Sequence, residues 1–401
     1  MREFTNISLS ARQRFGLFAF ANSLWIMAFL GLFTAYGIDY PRDVECVDRA
    51  VDFHALWGAG RLAYAGDPLS AFSHAILLDA FKSCPRDDMF WLYPAPVMVL
   101  LTAVGAVSFF TGYVALMALS LILIALSARP FLRNDAIALS LVVFAPAWLP
   151  ALLSGQLTLL WCAGLMAALY MMRQNRHVAA GILIGCLTLK PTLGLLIPVI
   201  LFAERRYATI IVATGTTIII HVAAIAFYGF DYVTLWMDVS FNQSAIERGD
   251  VAANPALSSF GSFTTLFGVP GDYTTLANAG LLIVLAVILF FVWRKHGVKS
   301  DAACAALCAA IPLSAPYLWH YDAGFLALVA LFLYRMRLSK PPIYFWILLA
   351  VFWFGPGIPV VNHTLFHIVW IYPTLVLPPM LFAAFTFSLL QVKHPRYAAE
   401  T

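Results

Sequence analysis

Apolar runs of about 20 residues, divided by short basic or Pro/Gly-rich breaks, recur from Phe15 to the C-terminus of this 401-residue chain. As a helix, a run of that length matches the ~30 Å hydrocarbon core of a bilayer, and its repetition is the pattern of repeated crossings. Only 11% of the residues are charged against 62% hydrophobic, less than half of the roughly 25% charge a soluble domain uses to cover its surface. A water-soluble globular fold is therefore excluded. The runs are continuous rather than alternating, which excludes a transmembrane barrel, and the hydrophobicity excludes disorder. The expected fold is an all-α polytopic membrane protein, one integral-membrane domain over residues 1–401.

The distribution of charge sets the orientation. Arg2, Arg12 and Arg14 precede the first run, about Phe15 to Tyr36. That run is too long for a signal-peptide core and lacks a small-residue cleavage site, so it reads as a retained helix. Basic residues recur at Arg129/Arg133, Arg173/Arg176, Arg205/Arg206, Arg294/Lys295/Lys299, Arg335/Arg337/Lys340 and Lys393/Arg396. The positive-inside rule places these clusters and both termini on the cytoplasmic side of a cytoplasmic (inner) membrane. Residues 37–90 and 230–273 hold most of the acids and form two outer loops, facing a periplasm or its equivalent.

The remaining chain suffices for about 11–13 helices of roughly 20 residues. Pro94, Pro96, Pro146 and Pro150 interrupt residues 91–152 and leave two, three or partial crossings open there. Lys190-Pro191 breaks another run between two inside clusters, so two half-length helices meeting at Lys190 are expected. Broken helices at membrane depth are tolerated only where they are buried or line a polar cavity, so the break marks a site.

Cys46 and Cys84 share the first outer loop, where an oxidising compartment permits a disulfide; the alternative is two free thiols. Cys162, Cys186, Cys304 and Cys308 lie in apolar helices and read as packing residues. There is no metal-ligand cluster, Gly-rich phosphate loop or nucleic-acid motif, so no cofactor and no nucleic-acid partner is expected, with a divalent metal left open.

In the first outer loop Phe53, Leu56, Trp57, Gly60 and Tyr64 recur at helical spacing, with His54 and Arg61 off the stripe. That pattern predicts interfacial helices with their aromatics among lipid headgroups. Asp52 opens the first of them. An N-cap is one role for it; a general base at the water–membrane boundary, where partial burial favours proton uptake, is the other. Ser154-Gly155-Gln156 joins two runs on the outer side, as a plain turn or with Gln156 fixing a hydroxylated ligand. Lys190, an ammonium inside an apolar stretch, either snorkels to the interface, or pairs with an anion or lines a wet cavity. Trp236 and Asn242-Gln243-Ser244 lie in the second outer loop. The densest cluster is the run from Ser314 to Asp322. An aromatic belt accounts for Tyr317 and Trp319, whereas His320 beside Asp322 is either a belt histidine or a donor to an anionic phosphate.

By charge these candidates share the outer face, and together they suit attack on a sugar carried by a lipid phosphate. A polyprenyl-phosphate leaving group is already anionic and calls for donors such as Lys190 and His320. The acceptor hydroxyl needs a base, supplied by Asp52, and direct displacement at the anomeric carbon inverts its configuration. Gln156, Asn242, Trp319, Tyr321 and Asp322 remain for the sugar or the acceptor.

The chain also resembles the polyprenol-phosphate-dependent mannosyltransferases of glycosyltransferase family eighty-seven, in the GT-C superfamily. The resemblance rests on the order and spacing of Asp52-Phe53 with Gly66, Tyr93-Pro94, Gly155-Gln156, Ala180-Gly181 through Gly185 to Lys190, Arg205-Arg206, Asn242-Gln243-Ser244, and Pro316 with Trp319-His320-Tyr321. It implies a GT-C-like bundle of about a dozen helices, Asp52 as the base, Lys190 and His320 on the carrier phosphate, and mannose as the best-known donor sugar. The partners it implies are a polyprenyl-phosphate sugar donor, a glycan or glycolipid acceptor and the bilayer. Two departures, Leu56 in place of a Tyr and Pro68-Leu69-Ser70 in place of a Leu-Tyr pair, bear on the sugar and the acceptor. A competing class is a transporter or flippase of a lipid-linked or anionic solute, with Lys190 and His320 along its path; such a protein should show internal repetition and polar residues through both leaflets.

Overall fold

The computed structural model describes residues 51–80, 91–132, 135–250, 257–336, 342–358 and 373–393, without the side chains of residues 51, 137, 241–250 and 272. Cys46, Cys84 and the run from Phe15 to Tyr36 lie outside these residues. In chain order the helices are α1 (Val51–Tyr64), α2 (His74–Ala80), α3 (Ala95–Gly105), α4 (Phe109–Leu132), α5 (Ala136–Val143), α6 (Leu149–Ser154), α7 (Thr158–Arg173), α8 (His177–Cys186), α9 (Ile197–Ala203), α10 (Tyr207–Tyr228), α11 (Asp231–Asp250), α12 (Phe260–Thr265), α13 (Thr274–His296), α14 (Asp301–Ser314), α15 (Phe325–Arg335), α16 (Ile343–Phe354) and α17 (Pro373–Lys393). Short 3-10 turns link several of them, and no strand occurs among the described residues.

This is an all-α polytopic membrane protein. The helices α4, α10, α13 and α17 are each long and apolar enough to cross a bilayer unaided. Of the others, α11 is 20 residues long but polar, and the rest are shorter, several of them bounded by prolines or glycines. Only 11 residues long, α3 rises about 16 Å, roughly half of a hydrocarbon core, so it does not cross. Residues 91–152 thus hold one half-length helix, one full span in α4, and a third passage broken by the 3-10 turn Pro146–Trp148 between α5 and α6.

The passage from α8 to α9 is broken as the sequence predicts. Between the helices the chain makes two 3-10 turns, Leu187–Leu189 and Pro191–Leu193, with Lys190 between them at φ −130°, ψ 79°. Backbone groups freed from helical pairing need other partners at this depth. The Trp161 indole donates to the Leu187 carbonyl at 2.8 Å, and the Thr188 hydroxyl to that of Gly185 at 2.6 Å. Close packing on α10 holds the segment: a Cβ added to Gly181 or Gly185 would collide with Val212 or Thr216.

Among the described residues, members of four basic clusters, Arg173, Arg206, Arg294 and Arg335, gather at one end of the bundle. Arg173 at the end of α7 binds Asp301 at 2.6 Å, Arg335 at the end of α15 reaches the same carboxylate at 3.2 Å, and Glu204 contacts both Arg206 and the Val298 backbone. The second outer-loop stretch, residues 230–273, is largely helical, comprising α11 and α12.

Candidate active site

Opposite that end, α1 lies across α3. The two backbones meet at Gly60 and Gly105, where an added Cβ would come within 2.2 Å of the Leu101 carbonyl oxygen or 2.1 Å of the Gly60 carbonyl carbon. This crossing corrects the expectation of aromatics among headgroups. Phe53 is buried against Phe109 and Tyr113 of α4, with ring centroids 5.1 and 5.3 Å away, and Trp57 donates to the Val107 carbonyl at 3.0 Å. His54, placed off the stripe, is buried against Phe109 at 4.3 Å, whereas Tyr64, placed on it, is 66% exposed. Leu56 is only 1% exposed, so that departure from the resembled pattern is a packing residue.

Asp52, half-buried, sits in the first turn of α1, where the helix dipole favours a negative charge. Its neighbour Phe53 packs on Gly155, a left-handed cap (φ +71°) whose Cβ would stand 2.4 Å from that of Phe53. The same turn delivers Gln156, which is buried and accepts a hydrogen bond from the Tyr93 hydroxyl at 3.0 Å. Tyr93 leads into α3, and its strand of chain is fixed from α11. The Tyr232 hydroxyl accepts from the Trp91 indole at 2.6 Å and donates to the Tyr93 carbonyl at 3.2 Å, and Trp236 donates to the Leu92 carbonyl.

Lys190 projects into this same region. Its Nζ is 2.6 Å from Asp322 Oδ1 and 3.5 Å from the Thr158 hydroxyl, and lies 5.2 Å from the centroid of the Tyr321 ring. Thr158 donates to that same Asp322 oxygen. Asp322 is 1% exposed and Lys190 17%. Of the two readings of Lys190, pairing with an anion is the one found, and the anion belongs to the protein.

The run carrying Asp322 is anchored by residues 257–278. Leu257 forms a bridge with Trp319, Ser258 N–H donates to the Leu318 carbonyl, and the Asn278 amide donates to that of Pro316 at 2.8 Å. The Trp319 and Tyr321 rings lie nearly parallel, at 15°, with centroids 6.4 Å apart. His320 meets the Tyr321 ring edge-on at 5.4 Å.

Electrostatics tie the acid to the ammonium. Burial pushes the phenols of Tyr93 and Tyr321 well above the ordinary tyrosine range, and the charges of both Asp52 and Asp322 push them further. The charges of Asp52 and Asp322 are thus both felt at the two tyrosines, and Lys190 faces Tyr321. Asp52, Gln156, Lys190, His320, Tyr321 and Asp322 come together with Trp319 at the edge. Asn242 lies on α11 with its side chain outside the described residues.

Sequence reasoning missed Tyr93 and Thr158 as parts of this site. Tyr93 stood in the Tyr93-Pro94 pair quoted for the resemblance; Thr158, two residues after Gln156 at the start of an apolar helix, was a polar residue that passed unremarked. A groove of about 410 Å³ lies along the same broken passage, lined by Leu187, Thr188, Pro191 and Gly194, which flank Lys190 in the chain, and by Ala213 and Thr217 of α10.

A family model described as Glycosyltransferase family 87 matches residues 91–316. Comparison with curated proteins and with solved structures gives no match.

Proposed function

The chain belongs to glycosyltransferase family 87, and from that premise we propose that this membrane glycosyltransferase moves a hexose, mannose first among candidates, from a polyprenyl-phosphate carrier to a glycan or glycolipid acceptor on the extracytoplasmic face, with inversion. The observation that carries the reading is the convergence on Tyr93 and Tyr321, where a half-buried carboxylate and a phosphate-competent ammonium from distant parts of the chain border one space. Those are the two charges such a transfer needs.

The acceptor oxygen attacks the anomeric carbon while Asp52 takes its proton. The bond between that carbon and the phosphate oxygen breaks, and the phosphate leaves with the electron pair. No proton is needed there; Lys190 and His320 stabilise the anion by donation. The half-buried Trp319 indole offers an apolar face for a pyranose, with the buried Tyr321 ring nearly parallel to it, and Gln156 and Asn242 serve its hydroxyls. The apolar groove formed by the residues flanking Lys190 along the chain is of a kind that would suit the tail of a lipid-borne donor.

The test is transfer from a radiolabelled polyprenyl-phosphate sugar in membranes. Asp52→Asn is expected to abolish transfer while the protein stays folded. Transfer at the wild-type rate would remove Asp52 as the base and shift attention to Asp43 and Asp48, which lie in the same loop outside the described residues.

A further inference from the structure

We infer that Asp322 and Thr158 are positioning residues for the carrier phosphate: they fix the Lys190 ammonium, and Asp322 makes no contact with sugar or acceptor. The inference rests on the proposed lipid-phosphate donor and goes beyond it by removing Asp322 from the sugar-binding set and adding Thr158 to the machinery.

Three observations carry it. Asp322 is 1% exposed and spends Oδ1 on two donors, Lys190 at 2.6 Å and Thr158, whose own side chain is fully buried. Little of it is left for a ligand to touch. Lys190 has three N–H donors. One goes to Asp322 and one points toward Thr158 at a long 3.5 Å, with the Tyr321 face beneath; the third has no partner among these, and the Lys190 side chain as a whole keeps 17% of its surface open, so donor capacity remains for a ligand.

The third observation is energetic. Buried ion pairs seldom stabilise a fold relative to well-packed apolar residues, since desolvation cancels the attraction. This pair also sits where the α8–α9 passage is interrupted and two helix ends are given up. A purely structural role would be met as well by two apolar side chains. Held from three separate elements, the start of α7, the break itself and the 3-10 turn His320–Gly324, the ammonium is instead fixed in place and kept beside its counter-charge. That arrangement suits electrostatic stabilisation prepared in advance of an arriving anion.

The test uses the full chain in lipid nanodiscs, with sugar-free polyprenyl phosphate as the binding probe and transfer kinetics beside it. Asp322→Asn should weaken probe binding, raise the donor KM by about tenfold or more, the size of a lost charge-assisted hydrogen bond, and lower kcat as well, because Lys190 also stabilises the departing phosphate, with the acceptor KM little changed. Thr158→Val should raise the donor KM by a smaller factor, and Thr158→Ser should restore it. The double variant Lys190→Met with Asp322→Leu should fold, melting modestly below wild type because the buried Thr158 hydroxyl loses its acceptor, and bind no probe. Transfer retained by that double variant, or an Asp322→Asn effect on the acceptor KM with donor binding intact, overturns the inference and leaves the donor reading standing. A wild-type protein that binds no polyprenyl phosphate overturns both.

Discussion

At the scale of single residues, Gly155 shows how a turn can govern a reactive group without touching a ligand. Its left-handed φ suits glycine, and its missing Cβ makes room for Phe53, the residue after Asp52. Gly155→Ala therefore meets backbone strain and a collision at once, and is expected to cost about 1–3 kcal/mol of stability. Because the displaced Phe53 adjoins Asp52, the proposed base, transfer should fall well beyond that loss; thermal unfolding and kcat measured on the same preparation separate the two effects. The sequence offered Gly155-Gln156 as a turn with a ligand-facing amide, and the turn is there. Contact with Phe53 was not legible, since it depends on a crossing between segments a hundred residues apart, roughly, that no local pattern encodes. The partner of Lys190 was hidden for the same reason: an ammonium at depth demands an anion, but the demand does not name which one.

At the scale of elements, what could be read and what could not divides along one physical line. Breaks were legible because Pro191, Pro146 and Pro150 act locally, by ring geometry and a missing N–H. Facing was not. The stripe Phe53, Leu56, Trp57 was assigned to headgroups, and it packs on α3 and α4, because in a membrane protein lipid and protein surroundings are alike in polarity and an apolar face does not reveal which it meets. The glycines were the available clue: Gly60 in α1 and Gly105 in α3 allow two backbones to approach as side chains would not. Gly105→Ala should destabilise by about 1–3 kcal/mol through overpacking and, by lifting α1, depress transfer more than sugar-free carrier binding at Lys190. Unfolding in detergent and the same binding probe measure both.

At the scale of the molecule, α7 connects two polar centres, with Thr158 in the candidate site and Arg173 in the ionic knot at the other end. Its 16 residues span about 24 Å. The basic clusters were legible as a group sharing one side, and four of them do meet at one end; the acid joining two of them, Asp301, was not foreseen. Asp301→Asn leaves Arg173 and Arg335 facing each other without their common anion. A fully buried pair broken this way loses about 3–5 kcal/mol, and partial solvent access brings the expected loss here to about 2 kcal/mol. Calorimetry should show the lower melting temperature, while kcat below it stays near wild type. The groove beside Lys190 carries a consequence of another kind. Its rim includes Leu195 and Ile218, both exposed on the flank of the bundle, so a ligand entering there diffuses sideways within a two-dimensional sheet and never passes through water. For the proposed lipid carrier, encounter frequency then follows its mole fraction among lipids, and adding inert lipid at constant total carrier should slow transfer as surely as removing substrate.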